Sequence, residues 1–330
     1  MPSSIYRTTL SRALYITRQY KFLWFLGFLA AFLGNGGEYE FVITQFNKLS
    51  SGSFSIIESL ITSFGTGGNN IIRLFGSLAG SIVEAGTVWL GAAVFLLLIL
   101  IWMIVISQGV LIKMVADLEN DKKASFKQAL ALGRNSFWRL LSILIITRFI
   151  SFFIFAVIGL PLTALLSYMF DPIKAFFLVT FVLGTPLFVV FSLIAKYAIA
   201  YLMLERKNPY QAVAHSLALF GRHWLLSLEM ALALFVINIL VGALIVLAVL
   251  FVAIPFVLLA YALLSASIAS GAYVILNIGK GLAFIVLLVL GGALATFQYA
   301  VWTELFLRIK EKTHLSKIVS LVAGLRDKYR

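Results

Sequence analysis

The chain has 330 residues, of which 62% are hydrophobic and only 12% charged, and its mean hydropathy is +1.04. A soluble domain of this length does not carry so little charge, so the composition is that of a membrane protein. The net charge of +13 flanks long apolar runs, which reads as orientation at a membrane surface rather than nucleic-acid binding. With no cysteine, there is no disulfide, thiolate metal ligand or cysteine nucleophile.

In chain order, Ile5 to Lys21 comes first. Leu10, Ala13, Leu14 and Thr17 share one helical face and Arg7, Arg12 and Arg18 lie largely off it, the pattern of an amphipathic helix in the interface. Phe22 to Gly34 supplies a first span that is short for a hydrocarbon core of ~30 Å, which takes roughly 20 helical residues. A signal-peptide core looks similar, but the preceding segment is a copy of a motif that recurs further on, so the span is read as retained. Residues 35–86 form the longest non-spanning stretch, with short surface or re-entrant helices expected at Phe54 to Phe64 and Ile71 to Val83. The turn between them, Gly65 to Asn70, has neither the ending of a phosphate loop nor the spacing of a dinucleotide turn.

Thr87 to Val115 reads as the second span. A basic elbow follows from Ala116 to Arg134, in which Ser125 and Gln128 fit a capping box, and Phe126, Ala129, Leu130, Gly133 and Phe137 share one apolar face. The third span is Phe137 to about Met169, with a bend or break expected at Gly159 and Pro161. Lys174 to Leu204 forms the fourth, again interrupted at Gly184 to Pro186. The elbow returns at Glu205 to Gln211, where Asn208 suits an N-cap and Pro209 the first helical position, and Tyr210, Val213, Ala214 and Leu217 repeat the apolar face. Trp224 to about Leu264 exceeds one perpendicular span and is expected to tilt or break at Pro255. A small-residue connection, Ser265 to Lys280, leads to the sixth span, Gly281 to Leu307, and a final amphipathic helix starts at Thr313.

Lysine and arginine positions set the topology. The elbow side holds 21 of them, against Lys48, Arg73, Lys174 and Lys280 on the other, which places both termini and every elbow in the cytoplasm. The expected fold is therefore an all-α integral membrane protein of the bacterial cytoplasmic membrane. Six transmembrane helices form three parallel helix-pair repeats, each preceded by a cytoplasmic amphipathic interfacial helix. As one membrane domain it divides into residues 1–121 with the extracytoplasmic loop 35–86, residues 122–207, and residues 208–330. Ser125 to Ala129 matches Asn208 to Ala212, Gly133-Arg134 matches Gly221-Arg222, and Trp138 matches Trp224; the first unit keeps Ala13, Arg18 and Trp24 with different spacing.

Two ionisable residues inside the spans stand out. Arg148 lies about ten residues past Trp138, roughly 15 Å into the bilayer, where a guanidinium costs several kcal/mol unless paired or hydrated. Glu229, shortly past Trp224, is the natural counter-charge. The pair either fixes helix register or belongs to a polar site for a headgroup or ion, with Asn238, Lys196 and Gln298 as further liners. At the surface, Trp24, Trp138 and Trp224 each follow an arginine and read as interfacial anchors. Arg18, Arg134 and Arg222 beside them are candidates for anionic lipid, each worth about 1 kcal/mol near an anionic surface.

His215, His223 and His314 have no second metal-type ligand at helical spacing, so no metal or other cofactor is expected. Neither a nucleophile elbow nor a His-Glu metal motif is present, and Glu38 with Glu40 reads as a solvated pair in a glycine-rich loop. The repeated basic elbow, with Ala and Gln near its start and a long apolar pair after it, resembles uncharacterised six-span bacterial membrane proteins. It is particularly similar to the membrane domain fused to some glycerophosphodiester phosphodiesterases, a resemblance that implies the fold and a lipid association but no catalytic residue. The expectation is a non-enzymatic role in lipid-associated transport or membrane organisation, with membrane lipids as partners. The alternatives are a scaffold or accessory subunit that binds other membrane proteins, and an intramembrane lipid-modifying enzyme. A hydrated cavity reaching Arg148 favours the first, a dry core the second, and clustered carboxylate, His or Ser groups around a pocket the third.

Overall fold

A computed structural model describes residues 5–31, 87–119, 125–169 and 171–311. The expected helices within the 35–86 loop, the end of the first span and the helix from Thr313 lie outside the described residues. Among those described, the chain is all-helical with no strand. The elements are α1 (Ile5–Gln19), α2 (Leu23–Ala31), α3 (Thr87–Glu119), α4 (Phe126–Asn135), α5 (Phe137–Leu166), α6 (Pro172–Val179), α7 (Thr185–Glu205), α8 (Pro209–Ser265) and α9 (Ala269–Glu311). A π-helical turn, Thr180–Gly184, joins α6 to α7. Five of the helical stretches are long and apolar enough to cross a membrane: 94–119, 137–166, 174–205, 209–265 and 269–310.

Each of the three elbows is a short helix, a break and an apolar helix. At the first, α1 ends in a turn at Tyr20 to Phe22, and the Trp24 indole N–H donates to the Thr17 carbonyl at 2.8 Å, satisfying a backbone acceptor that the end of α1 leaves open. At the second, Ser125 is the N-cap of α4 and its hydroxyl accepts from the Gln128 N–H at 3.5 Å, as the capping box predicts. Ser136 then separates α4 from α5. At the third, Asn208 and Pro209 stand at the expected N-cap and first positions, although the Asn208 side chain makes no capping bond. The break in α8 is at His223 (φ −128°, ψ 29°). There Ser227 donates to the His223 carbonyl at 3.1 Å, and the Tyr197 hydroxyl of α7 lies 2.8 Å from Ser227 Oγ, so the kink is held by a neighbouring helix.

Of three expected interruptions, two do not break the helix and the third is present in another form. Gly159 and Pro161 lie inside an unbroken α5, and Pro255 inside an unbroken stretch of α8. The Gly184 to Pro186 signal is instead met by the π turn immediately before α7, one way a helix absorbs the carbonyl a proline leaves unpaired. The small-residue stretch after Ser265 is not a long connection either. Only Ala266 to Ile268 leave the helix, with Ser267 in the left-handed region at φ 62°, and α9 already starts at Ala269. Small residues there serve close packing: a Cβ on Gly279 would lie 2.6 Å from Phe256 Cβ.

Consequently residues 224–265 of α8 and all of α9 form an antiparallel hairpin about 60 Å long, twice the ~30 Å hydrocarbon core. The elbow-side half carries the core, where Leu226, Met230 and Leu234 pack with Trp302, Leu305 and Phe306, and with Val110 and Leu111 of α3 and Tyr197 of α7. The far half exposes Phe251, Tyr261, Tyr273 and Phe284. α2 crosses α9, α1 lies along α9, and α4 packs on α3.

Candidate functional site

Four helices place polar side chains at one depth. Counting 1.5 Å per residue from the elbow end of each helix, Gln108 on α3, Arg148 on α5, Lys196 on α7 and Tyr299 on α9 all fall at about 14 to 18 Å. They converge on a cavity of about 30 Å³, which Ser151 of α5 and Ser192 of α7 also line. The lining residues include no Asp, Glu or His. Lys196 is 8% exposed, and its Nζ sits 5.0 Å from the centroid of the Trp302 ring, a cation–π contact. Ser151 is fully buried, and its Oγ has no hydrogen-bond partner among the described residues.

The residues singled out from sequence fall at three places. Arg148 and Lys196 meet in the cavity. Glu229 is not among the residues that line it and accepts a hydrogen bond from the Tyr6 hydroxyl of α1. Asn238 and Gln298 join α8 to α9, with Gln298 Nε2 donating to Asn238 Oδ1. Amide bonds of this kind tie helices together where lipid offers no hydrophobic drive for association. Gln108, Ser151 and Ser192 were not singled out. The signal for Gln108 was present, an amide in an apolar run at the same depth as Arg148.

Nearer the elbows the surface carries two grooves of like construction. The first, about 1010 Å³, runs between α1–α2 and the α8–α9 hairpin; Leu244, Ile245, Leu290 and Phe297 form apolar wall, while Arg7 and Arg18 stand on the α1 side with Trp24 beside them. The second, about 480 Å³, lies between α2, α3 and α4, with Phe25, Trp102 and Phe126 as wall and Lys127 and Arg134 from α4. Trp138 and Trp224 are exposed, at 75% and 53%, and Arg222 is exposed beside Trp224.

The ends of α1, α3 and α9 are joined by charge. Arg12 Nε meets Glu119 Oε2 at 2.7 Å, Arg308 Nη2 is 3.9 Å from the other oxygen of Glu119, and the same guanidinium holds the buried Glu304 at 2.5 Å. Lys310 of α9 pairs in turn with Glu205 at the end of α7. Among the described residues, no group of three or more His, Asp or Glu gathers as a metal site. No protein family, curated protein or solved structure matches the chain.

Proposed function

We propose that the protein is a non-enzymatic six-span protein of the bacterial cytoplasmic membrane that binds anionic phospholipid at its elbows and serves lipid-associated transport or membrane organisation. In this reading α2 opens the first of three helix-pair units, and both termini face the cytoplasm. The groove between α1–α2 and the hairpin carries the proposal. Its walls are long apolar side chains from two membrane helices, which suit acyl chains, and its polar side presents the Arg7 and Arg18 guanidinium groups, which suit a phosphate diester. The second groove repeats the arrangement with Lys127 and Arg134. The resemblance in sequence pattern to uncharacterised six-span bacterial membrane proteins, similar to the membrane domain fused to some glycerophosphodiester phosphodiesterases, supports the same reading.

The test is native mass spectrometry of protein purified in mild detergent, with added phosphatidylglycerol titrated against phosphatidylcholine. Phosphatidylglycerol is expected to be retained selectively. Each arginine contributes about 1 kcal/mol, so the Arg7→Gln and Arg18→Gln double variant binds roughly thirtyfold more weakly. Equal binding of both lipids, or unchanged selectivity in the double variant, overturns the proposal.

A further inference from the structure

The cavity at mid-depth is too small for the ligand just proposed. A volume of about 30 Å³ holds roughly two waters or one small ion, and excludes a glycerophosphate headgroup. Its chemistry is one-sided. Two cationic side chains, Arg148 and Lys196, line it together with the hydroxyls of Ser151 and Ser192 and the amide of Gln108, and no carboxylate lines it. Two charges of one sign therefore face this small space. A cation in the cavity would add to the repulsion, whereas a small anion would reduce it.

Ser151 supplies an independent observation. Hydroxyls in apolar helices usually bond back to their own backbone, as Thr147 does to Ile143 at 2.8 Å and Ser142 to Trp138 at 2.7 Å on the same helix. The Ser151 Oγ, fully buried on the cavity wall, makes no such bond to any described residue. An unsatisfied buried hydroxyl calls for a partner in the space it lines.

We propose that this cavity binds a monatomic anion of the halide class, chloride under ordinary conditions, held between Arg148 and Lys196 with Ser151 donating to it. The ion then sits where α3, α5, α7 and α9 meet. The site does not depend on the lipid reading, because it shares no residue with either groove.

The experiment uses the full chain in micelles at fixed ionic strength, with sodium gluconate exchanged for sodium chloride. Two readouts are taken, the thermal unfolding midpoint and the line width of the chloride-35 magnetic resonance signal, with bromide as competitor. The wild-type midpoint is expected to rise and saturate with chloride, and the line is expected to broaden in a bromide-reversible way. Lys196→Met shifts half-saturation at least tenfold upward, while the surface double variant Lys174→Gln with Lys280→Gln leaves it unchanged. If Lys196→Met does not fold, the wild-type line width decides alone. Absence of saturable broadening in the wild type, or a folded Lys196→Met with unchanged chloride response, overturns the site. Loss of phospholipid selectivity with an intact chloride response overturns only the lipid proposal.

Discussion

A Cβ placed on Gly292 would lie 2.4 Å from the main-chain oxygen of Trp24, so α9 and α2 cross with backbone against backbone. The contact is reciprocal: a Cβ on Gly27 would lie 2.2 Å from Thr296 Oγ1 and 2.4 Å from the Gly292 oxygen. Thr296 Oγ1 is within hydrogen-bond distance of both the Leu23 and Gly292 carbonyls, at 2.9 and 2.8 Å, and fixes the register of the crossing. Gly292→Ala and Gly27→Ala should each cost about 1–3 kcal/mol, because a rigid backbone cannot yield to the added methyl. Their combination should cost less than the sum, since either one already separates the helices. Gly242→Ala, with nothing within 4 Å of its added Cβ, should be neutral or stabilising by up to about 1 kcal/mol. Reversible unfolding in mixed micelles measures all four; a Gly292→Ala variant as stable as Gly242→Ala contradicts the crossing.

The three elbow helices share a second packing rule. Each buries a pair of small residues four apart, Ala13 with Thr17, Ala129 with Gly133, and Ala212 with Ser216, while Leu14, Leu130 and Leu217 remain exposed. Small side chains let the helix approach its neighbour closely, as with α4 on α3, where a Cβ on Gly133 would lie 2.7 Å from Val110 Cγ2. Ala212→Leu should therefore cost about 1–3 kcal/mol. Leu217→Ala should change stability by no more than about 0.5 kcal/mol, against the 2–5 kcal/mol of a buried leucine. A thermal midpoint that falls further for Leu217→Ala than for Ala212→Leu would reverse the assignment of faces.

The packing face of an elbow is where sequence reading reached its edge. Helical period and apolar run length located the elbows, the capping box at Ser125 and the helix start at Pro209, because caps and charge clusters are local signals. Which face of an elbow packs inward is not local. Hydrophobic period put Leu130 on one face with Ala129 and Gly133, but in a membrane the lipid is as apolar as leucine, and close approach decides which of them packs on protein. The same limit applies to Glu229, whose Tyr6 partner lies 223 positions away, and to the cavity, where equal depth on separate helices brought Arg148 to Lys196. Pro255 leaves α8 unbroken for a related reason: proline breaks helices strongly in water, yet an apolar helix in a membrane can pass through it.

The hairpin turn gives a prediction about backbone strain. Ser267 at φ 62° is in the left-handed region, which costs a residue with a Cβ about 1–2 kcal/mol and glycine almost nothing. The main-chain N–H of Ser267 donates to Leu264 and that of Ile268 to Leu263, so the turn geometry is fixed on both sides. Ser267→Gly should keep these bonds and stabilise the protein by about 0.5–1 kcal/mol, and Ser267→Val should destabilise it, since branching at Cβ worsens the clash. Proteolysis rates at the turn, read beside the unfolding midpoint, should fall for the glycine variant and rise for the valine variant. The opposite order would mean that the turn adopts another conformation.

Arg12 and Glu119 stand 107 positions apart and meet at 2.7 Å, tying α1 to the end of α3. Both are partly exposed, at 35% and 23%, so the pair alone is worth about 0.5–1 kcal/mol and weakens as salt rises. The two partners are not equivalent. Glu119 also faces Arg308 at 3.9 Å, and Arg308 holds Glu304 at 2.5 Å, so removing the Glu119 charge affects two cations while removing Arg12 affects one carboxylate that keeps Arg308 nearby. Arg12→Gln should therefore cost less than Glu119→Gln, by about 0.5 kcal/mol on the same scale. A double-mutant cycle on the pair should give a coupling that shrinks from low to high salt. No coupling at low salt would show that the docking of α1 rests on its buried face and the Tyr6–Glu229 hydrogen bond rather than on this ion pair.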